Sequence, residues 1–388
     1  MVNKDNFIYL SGYGVWLFLM QIMSTTYSEL LFDTVEYYKI FSIFSFIILL
    51  FSSIFIYKLN REYLLKDLFI LFVFLLVILS SRTFGILAIY ALLFLLAKYI
   101  PFSKILKVYI IIFFIIILLI FLGFIFDFLP PANLLNESFR NDGQYRYNLG
   151  FTYTTFLPNY FFHIILAFLI LRKKKLGITE IFIILTINFI IYKYTDTKAV
   201  YYLINCLMLI VFFVKMFSIN FNNKLFLSFY ARIIVRYSFF ILCVLSIYLH
   251  SFYDPSIEWM NLLNDILADR LSLGHQGIER YGLSLFGNDV EYVSFNQVTE
   301  TSPYFFLDSS YQRILINFGI VVILLLSFGF SQLFRLIISN NHIYYGISIT
   351  FLLAHSFTDP QLLDPIFNPF SLILAYIYSK VGRFNLFR

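Results

Sequence analysis

The sequence predicts an all-α polytopic membrane protein: about twelve transmembrane helices in one integral domain over residues 1–388, both termini cytoplasmic, and a large outer loop carrying an amphipathic helix. Three observations predict it. Of 388 residues, 61% are hydrophobic and only 13% are Asp, Glu, Lys or Arg, against roughly 25% charged in soluble domains. Apolar runs recur from residue 7 to residue 379, and the longest polar stretch, 251–306, is too short for a separate soluble domain. Lys and Arg also divide unevenly between alternate ends of those runs.

The clearest runs are 40–57, 108–126 and 314–334, none of which contains a charged residue. Further spans are expected near 7–28, 67–81, 83–99, 151–171, 176–192, 199–217, 232–250, 342–357 and 366–379. The first follows Lys4 like a signal sequence, but no small-residue cleavage site precedes Ser24, so it is expected to be retained. Placing the N-terminus inside puts 19 of the 28 basic residues on the inner side and 18 of the 22 acidic residues on the outer. Basic residues resist export, which fixes the orientation. For the same reason the net charge of +6 reads as cytoplasmic loops and not as nucleic-acid binding. Cys206 and Cys243 both lie in apolar runs, which leaves no disulfide framework and no cysteine metal site.

Two outer loops, 130–150 and 251–306, are longer than a connection requires. In the second, Ile257, Trp259, Leu262, Leu263, Ile266, Leu267 and Leu271 recur at helical spacing. One amphipathic helix is expected there, starting at Ser256 and stopping at Gly274, and lying in the outer interface. It covers the bundle, contacts a substrate, or does both.

The arginines carry the most information. Arg82, Arg140, Arg146, Arg270, Arg280 and Arg313 fall on the outer side, where the charge rule expects few. A charge near membrane depth is costly unless it meets a partner or a cavity. The planar guanidinium fork grips phosphate at two points, so a ring of arginines at the outer mouth points to an anionic ligand. Alternatively they pair with the acids on the same side. Among the histidines, His163 and His355 lie in apolar runs, and only His275, in the large loop, is placed for proton transfer to an external substrate. No HExxH motif, Cys/His cluster, phosphate-binding glycine loop or nucleophilic serine motif occurs, so neither a metal nor another cofactor is expected.

Several phrases resemble a known family. Tyr145-Arg146-Tyr147-Asn148-Leu149-Gly150-Phe151, followed by Pro158-Asn159, is similar to the "R-x-S-L-G-F … H-P-N" segment of bacterial polysaccharide polymerases of the Wzy type, in the O-antigen ligase-like superfamily. Asn148 stands where the pattern has Ser, and Leu157 where it has His. The run Asn264 to Leu271, with Tyr281-Gly282 and Leu285-Phe286-Gly287, resembles the large outer loop of those enzymes. Leu307-Asp308-Ser309-Ser310-Tyr311, ending in Asn317-Phe318-Gly319, resembles the opening of the helix that follows it.

The resemblance implies a glycosyltransferase of the bacterial cytoplasmic membrane, its site facing outward. It would polymerise polyprenyl-diphosphate-linked oligosaccharide repeats into O-antigen, capsular polysaccharide or exopolysaccharide. Arg146, Arg270, Asp308 and His275 become the catalytic candidates; Arg82, Arg140, Asp142, Arg280, Tyr311 and Arg313 become substrate contacts. Asp308, Asp142 and His275 are the candidates for a general base. The implied partners are the lipid-linked substrate, membrane lipid, a flippase and a chain-length regulator. An O-antigen ligase sharing the fold and donor remains an alternative, as does a lipid-linked oligosaccharide flippase. A flippase, however, is expected to line its helix middles with charge, and here the middles are apolar.

Overall fold

The computed structural model describes residues 2–28, 40, 43–44, 46–51, 64–129, 138–139, 145–219, 229–293, 298–299 and 303–387. The helices run α1 Val2–Ile22, α2 Leu64–Ser81, α3 Phe84–Ala97, α4 Phe102–Ile125, α5 Phe156–Arg172, α6 Ile178–Thr195 and α7 Lys198–Met216. They continue with α8 Phe229–Arg236, α9 Ser238–Ser251, α10 Glu258–Ile266, α11 Arg270–Tyr281, α12 Ser310–Ser339, α13 Ile343–His355 and α14 Lys380–Leu386. Among the described residues, five helices are long and apolar enough to cross a membrane: Phe102–Ile125, Phe156–Lys175, Ile178–Thr195, Lys198–Met216 and Ser310–Ser339. Four shorter apolar helices, Phe7–Ile22, Leu87–Ala97, Ser238–Ser251 and Ile343–His355, pack among them.

Helix α4 illustrates the sequence logic. Pro101 precedes it, where a missing N–H costs nothing, and an unbroken Ile/Phe/Leu run carries it through 24 residues. It buries Tyr109, Phe113, Ile116 and Ile120 against α1 and α5. Its other face leaves Phe114, Leu118 and Phe121 exposed. A helix that is apolar on both faces belongs in lipid.

The expected span over 366–379 is corrected. The chain there forms a short 3₁₀ helix, Pro369–Tyr376, preceded by an irregular, largely buried segment over 356–368. The reason is a thrice-repeated dipeptide. In Asp359-Pro360-Gln361, Asp364-Pro365-Ile366 and Asn368-Pro369-Phe370, the first side chain accepts a hydrogen bond from the backbone N–H two residues on, at 2.9, 3.0 and 3.0 Å. Each forms an Asx turn, which competes with helix, while proline restricts the residue before it to extended backbone.

A buried non-helical segment still needs partners for its carbonyls. Tyrosines supply several: Tyr90 donates to the Ser371 carbonyl at 2.7 Å and Tyr109 to that of Phe367. Gln21 donates to Ile366 at 3.1 Å, and Asn368 to Leu362 at 2.8 Å.

Helix α12 differs from the uninterrupted span expected over 314–334. It breaks at Gly319, where φ is 86°. The backbone groups freed there are taken up by the large loop: Asn288 donates N–H to the Ile316 carbonyl at 2.9 Å, while Ile320 and Val321 donate to Ser284 and Leu285 at 3.0 and 3.1 Å. Ser80, at the end of α2, donates to the Gly287 carbonyl at 2.6 Å. The phrases Leu285-Phe286-Gly287 and Asn317-Phe318-Gly319 are thus two halves of one junction.

The loop has its own small core of Leu273, Phe305, Leu307 and Ile316, with Tyr281, Tyr292 and Tyr304 against it. The single expected helix is two. Ala268 and Asp269, both left-handed, break it, and Asn264 clamps the turn by donating to Asp269 at 2.9 Å and accepting from Ser272 N–H at 3.0 Å. Gly274 does not stop the helix. It lies inside α11, pressed against the His250 ring where no side chain fits. On α10, Trp259, Leu262 and Ile266 form an exposed apolar stripe while Met260 and Asn264 are buried. In the loop expected over 130–150, Ser138–Phe139 (β1) pairs antiparallel with Tyr145–Arg146 (β2).

The opposite end of the bundle is held by a buried ion pair. Lys98, just after α3, donates to both oxygens of Asp67 on α2, at 2.5 and 2.7 Å, and its ammonium lies 4.7 Å from the centre of the Tyr378 ring. Asn385 donates to the Lys98 carbonyl at 3.0 Å, tying α14 to the same point. Removing one partner strands the other charge. Asp67→Ala is therefore expected to destabilise by about 3–5 kcal/mol, whereas Asp67→Leu with Lys98→Met should be near neutral. Thermal unfolding of the detergent-purified single and double variants measures the difference.

Candidate functional site

The polar groups converge at the end of the bundle where the large loop docks. Arg270 opens α11 immediately after left-handed Asp269, a turn that directs its guanidinium back to the Leu267 carbonyl, with Nη1 donating at 2.8 Å. Its Nε stands 3.8 Å from Asp308 Oδ2. That nitrogen is buried and makes no hydrogen bond among the described residues. Both side chains of the pair are 25% exposed, so they stand at a mouth and not in sealed core.

Asp308 ends the loop, and Ser309 and Ser310 start α12 behind it. Ser310 N–H donates to the carbonyls of Ser356 and Asp359 at 2.9 and 3.1 Å, and its hydroxyl accepts from Leu362 N–H at 3.0 Å. These bonds pull the Asx-turn segment against the start of α12. One turn further on, Arg313 lies over the rings of Tyr292 and Phe306, 5.6 and 5.4 Å from their centres. Tyr292 is in turn fixed by donating to Asn317 Oδ1 at 2.7 Å.

Deeper in, Asp359 is largely buried, with 8% of its side chain exposed. Its Oδ2 accepts from Asn159 Nδ2 at 2.6 Å and its Oδ1 from Gln361 N–H at 2.9 Å, while His355 Nδ1 stands 3.9 Å from Oδ1. His163 approaches the Asn159 carbonyl with Nδ1 at 2.8 Å, and its ring meets that of His355 edge-on. Burial raises the Asp308 carboxyl above the ordinary aspartate range, opposed by the charges of Arg270 and Arg313. Burial pushes Asp359 up to about 7, and the Asp308 charge adds to it. The Gln361 hydrogen bond and the two arginines oppose that rise without cancelling it. Two carboxyls in contrasting surroundings, with cations on one side, can bind an anion and exchange a proton in one place. Among the described residues, no three His, Cys, Asp or Glu side chains stand close enough to share a metal ion.

Of the residues expected from the sequence, the structure joins Arg270, Asp308 and Arg313. Arg146 is engaged elsewhere: from β2 its Nε donates to the Thr195 carbonyl at 2.8 Å and Nη2 to the Thr197 hydroxyl at 3.3 Å, across the α6–α7 turn. Arg82 is a largely exposed residue 3.5 Å from Asp289. Arg280 lies over the Phe305 ring and donates to Gln276 at 3.2 Å. Tyr311 is wholly buried, its hydroxyl donating to the Leu353 carbonyl at 2.8 Å, which makes it a packing residue. His275 donates from Nδ1 to the His250 carbonyl at 2.9 Å and faces Glu279 through Nε2 at 3.4 Å. Arg140 and Asp142 lie outside the described residues.

Sequence reasoning missed Asp359 and Gln361, and it met Asn159 only in the Pro158-Asn159 phrase and His355 only as a histidine in an apolar run. The three Asp/Asn-Pro dipeptides were the available signal, since three such turns in a dozen residues cannot continue a helix. Compared with protein-family models, with curated proteins and with solved structures, the chain matches none.

Proposed function

We propose that the chain is a membrane glycosyltransferase that joins polyprenyl-diphosphate-linked oligosaccharide units into a polysaccharide at its outward-facing loop end. The observation that carries this reading is the quarter-exposed Arg270–Asp308 pair, flanked by Arg313. In a water-poor mouth, pre-placed guanidinium donors stabilise charge building up on a diphosphate leaving group far better than bulk water does. Asp308 holds the Arg270 fork in place. A hydroxyl on one unit attacks the anomeric carbon of another, a new C–O bond forms, and the bond to the diphosphate breaks with its electron pair leaving on the lipid. The exposed Trp259, Leu262 and Ile266 of α10 lie beside this end and suit a donor arriving laterally from the outer leaflet.

Deleting the protein from its host is expected to leave single lipid-linked units on the outer face of the membrane, because flipping proceeds and joining does not. Extracting and sizing those lipids, with an impermeant periodate label to report the face, is the test. Units trapped on the inner face would replace this reading with a flippase. Accumulated lipid-linked polymer of full length would replace it with a ligase.

A further inference from the structure

We propose that Asp359 is the general base of the glycosyl transfer, held in position by Asn159 and backed by His355. This rests on the reading of the chain as a lipid-linked glycosyltransferase. As the acceptor hydroxyl oxygen bonds to the anomeric carbon, its proton passes to the Asp359 carboxylate. The anomeric C–O bond to the diphosphate breaks, and its electron pair leaves with the lipid diphosphate beside Arg270. Asp359 returns the proton to water when the product moves on.

Three features of the geometry assign this role. First, burial deepens from the quarter-exposed Arg270–Asp308 pair to Asp359, so an anionic donor held at the mouth leaves the deeper carboxylate facing neutral chemistry. The two are joined through Ser310, whose N–H donates to the Asp359 carbonyl and which follows Asp308 by two residues. Second, Asp308 is paired with Arg270, whereas among the described residues the basic group within 4 Å of Asp359 is the His355 ring, at 3.9 Å. Third, each Asp359 oxygen accepts one neutral donor, Asn159 Nδ2 at 2.6 Å and Gln361 N–H at 2.9 Å, and a carboxylate oxygen has room for a second. Such a carboxylate is oriented without being neutralised by an ion pair. Its shifted titration toward neutrality suits proton transfer near physiological pH. The groups facing it are Asp308, Arg270, Arg313, His355, Asn159 and the Gln361 N–H. His163 acts one step back, through the Asn159 carbonyl and the His355 ring.

The test uses the whole protein in lipid vesicles, fed lipid-linked units extracted from a host lacking it. Binding of a short prenyl diphosphate, geranyl diphosphate, is followed separately by its competition with the natural donor. Asp359→Asn is expected to lower the joining rate at least about a hundredfold while leaving geranyl diphosphate binding within about twofold. The decisive variant is the exchange Asn159→Asp with Asp359→Asn, which restores the hydrogen bond with its polarity reversed and moves the carboxylate onto α5. A merely structural Asp359 predicts that the exchange recovers the rate, and that recovery would overturn the proposal, as would full activity of D359N. A folded exchange variant that binds geranyl diphosphate and stays inactive supports it. If D359N fails to accumulate, the exchange variant is read in its place, with Asp359→Glu as the conservative control expected to keep part of the rate. Failure of the wild-type protein to join the units or to bind geranyl diphosphate would instead remove the glycosyltransferase reading itself.

Discussion

Arg270→Ala is expected to lower polymer formation by roughly 10²–10³-fold, the scale of losing one pre-placed donor to developing charge, with membrane abundance close to wild type. The arginine's internal ties are few, a hydrogen bond to the Leu267 carbonyl and the pairing with Asp308, so the fold loses little when it goes. Arg270→Lys should rescue poorly. The three donors of an ammonium radiate from one nitrogen, so it cannot span the Leu267 carbonyl and the diphosphate as the separated nitrogens of the fork do. Arg146 provides the contrast. It bonds the Thr195 carbonyl and the Thr197 hydroxyl, ending α6 and starting α7, so Arg146→Ala should reduce abundance along with activity. Its Lys variant should recover more, because the Thr195 carbonyl and the Thr197 hydroxyl stand 3.4 Å apart and are both uncharged, so one ammonium can donate to both. Polymer length from gels and protein level from immunoblots, read together for the four variants, separate the two roles. Full-length polymer from R270A at normal abundance would end the assignment of Arg270 to the donor diphosphate.

Most of the bundle was legible because lipid imposes a simple code. Runs such as 108–126 and 199–217 map onto Phe102–Ile125 and Lys198–Met216 with small shifts at the ends. In such runs every backbone group is satisfied inside the helix, so composition alone decides. What escaped was non-helical backbone buried in protein. The span expected over 366–379 rested on Ile366, Phe367 and the apolar run Phe370 to Ile377, while Tyr109 and Gln21 satisfy the Phe367 and Ile366 carbonyls from far away in sequence. Arg270, Asp308 and Arg313 were legible because charge in a chain this apolar is itself informative. Asp359 was not, since its partners Asn159 and His355 sit on α5 and α13, nearly two hundred residues apart, and neither carries a formal charge in the sequence. Arg146 resembled its neighbours by type, yet its partners include the Thr195 backbone carbonyl, which no residue pattern announces.

The break in α12 explains why two glycines hold the site together, and their replacement has the second largest expected effect. At Gly319, with φ of 86°, an added Cβ would stand 2.4 Å from the Leu285 carbonyl oxygen. At Gly287, with φ of 96°, it would stand 1.9 Å from the Asn317 carbonyl oxygen. Both collisions are with backbone, which no side-chain rotation relieves, and both residues occupy a conformation that costs an L-residue about 1–2 kcal/mol before any clash. Gly319→Ala or Gly287→Ala should therefore force the loop away from α12. That motion releases the bonds from Asn288, Ile320 and Val321, the Ser80 anchor and the Tyr292–Asn317 bond that fixes the cradle of Arg313. Each released and buried backbone group costs about 1–3 kcal/mol more, so either variant is expected to destabilise the loop by at least about 3 kcal/mol. Gly282 is the control: its φ of 68° also disfavours a side chain, but nothing lies within 4 Å of the added carbon, so Gly282→Ala should show the conformational cost alone. Limited proteolysis of the 282–293 segment in inside-out and right-side-out vesicles reads the outcome directly. Rapid cleavage in G287A and G319A, with G282A close to wild type, is the expected pattern. Equal resistance in all three would mean that the loop does not depend on this junction, and the positioning of Arg313 would need another cause.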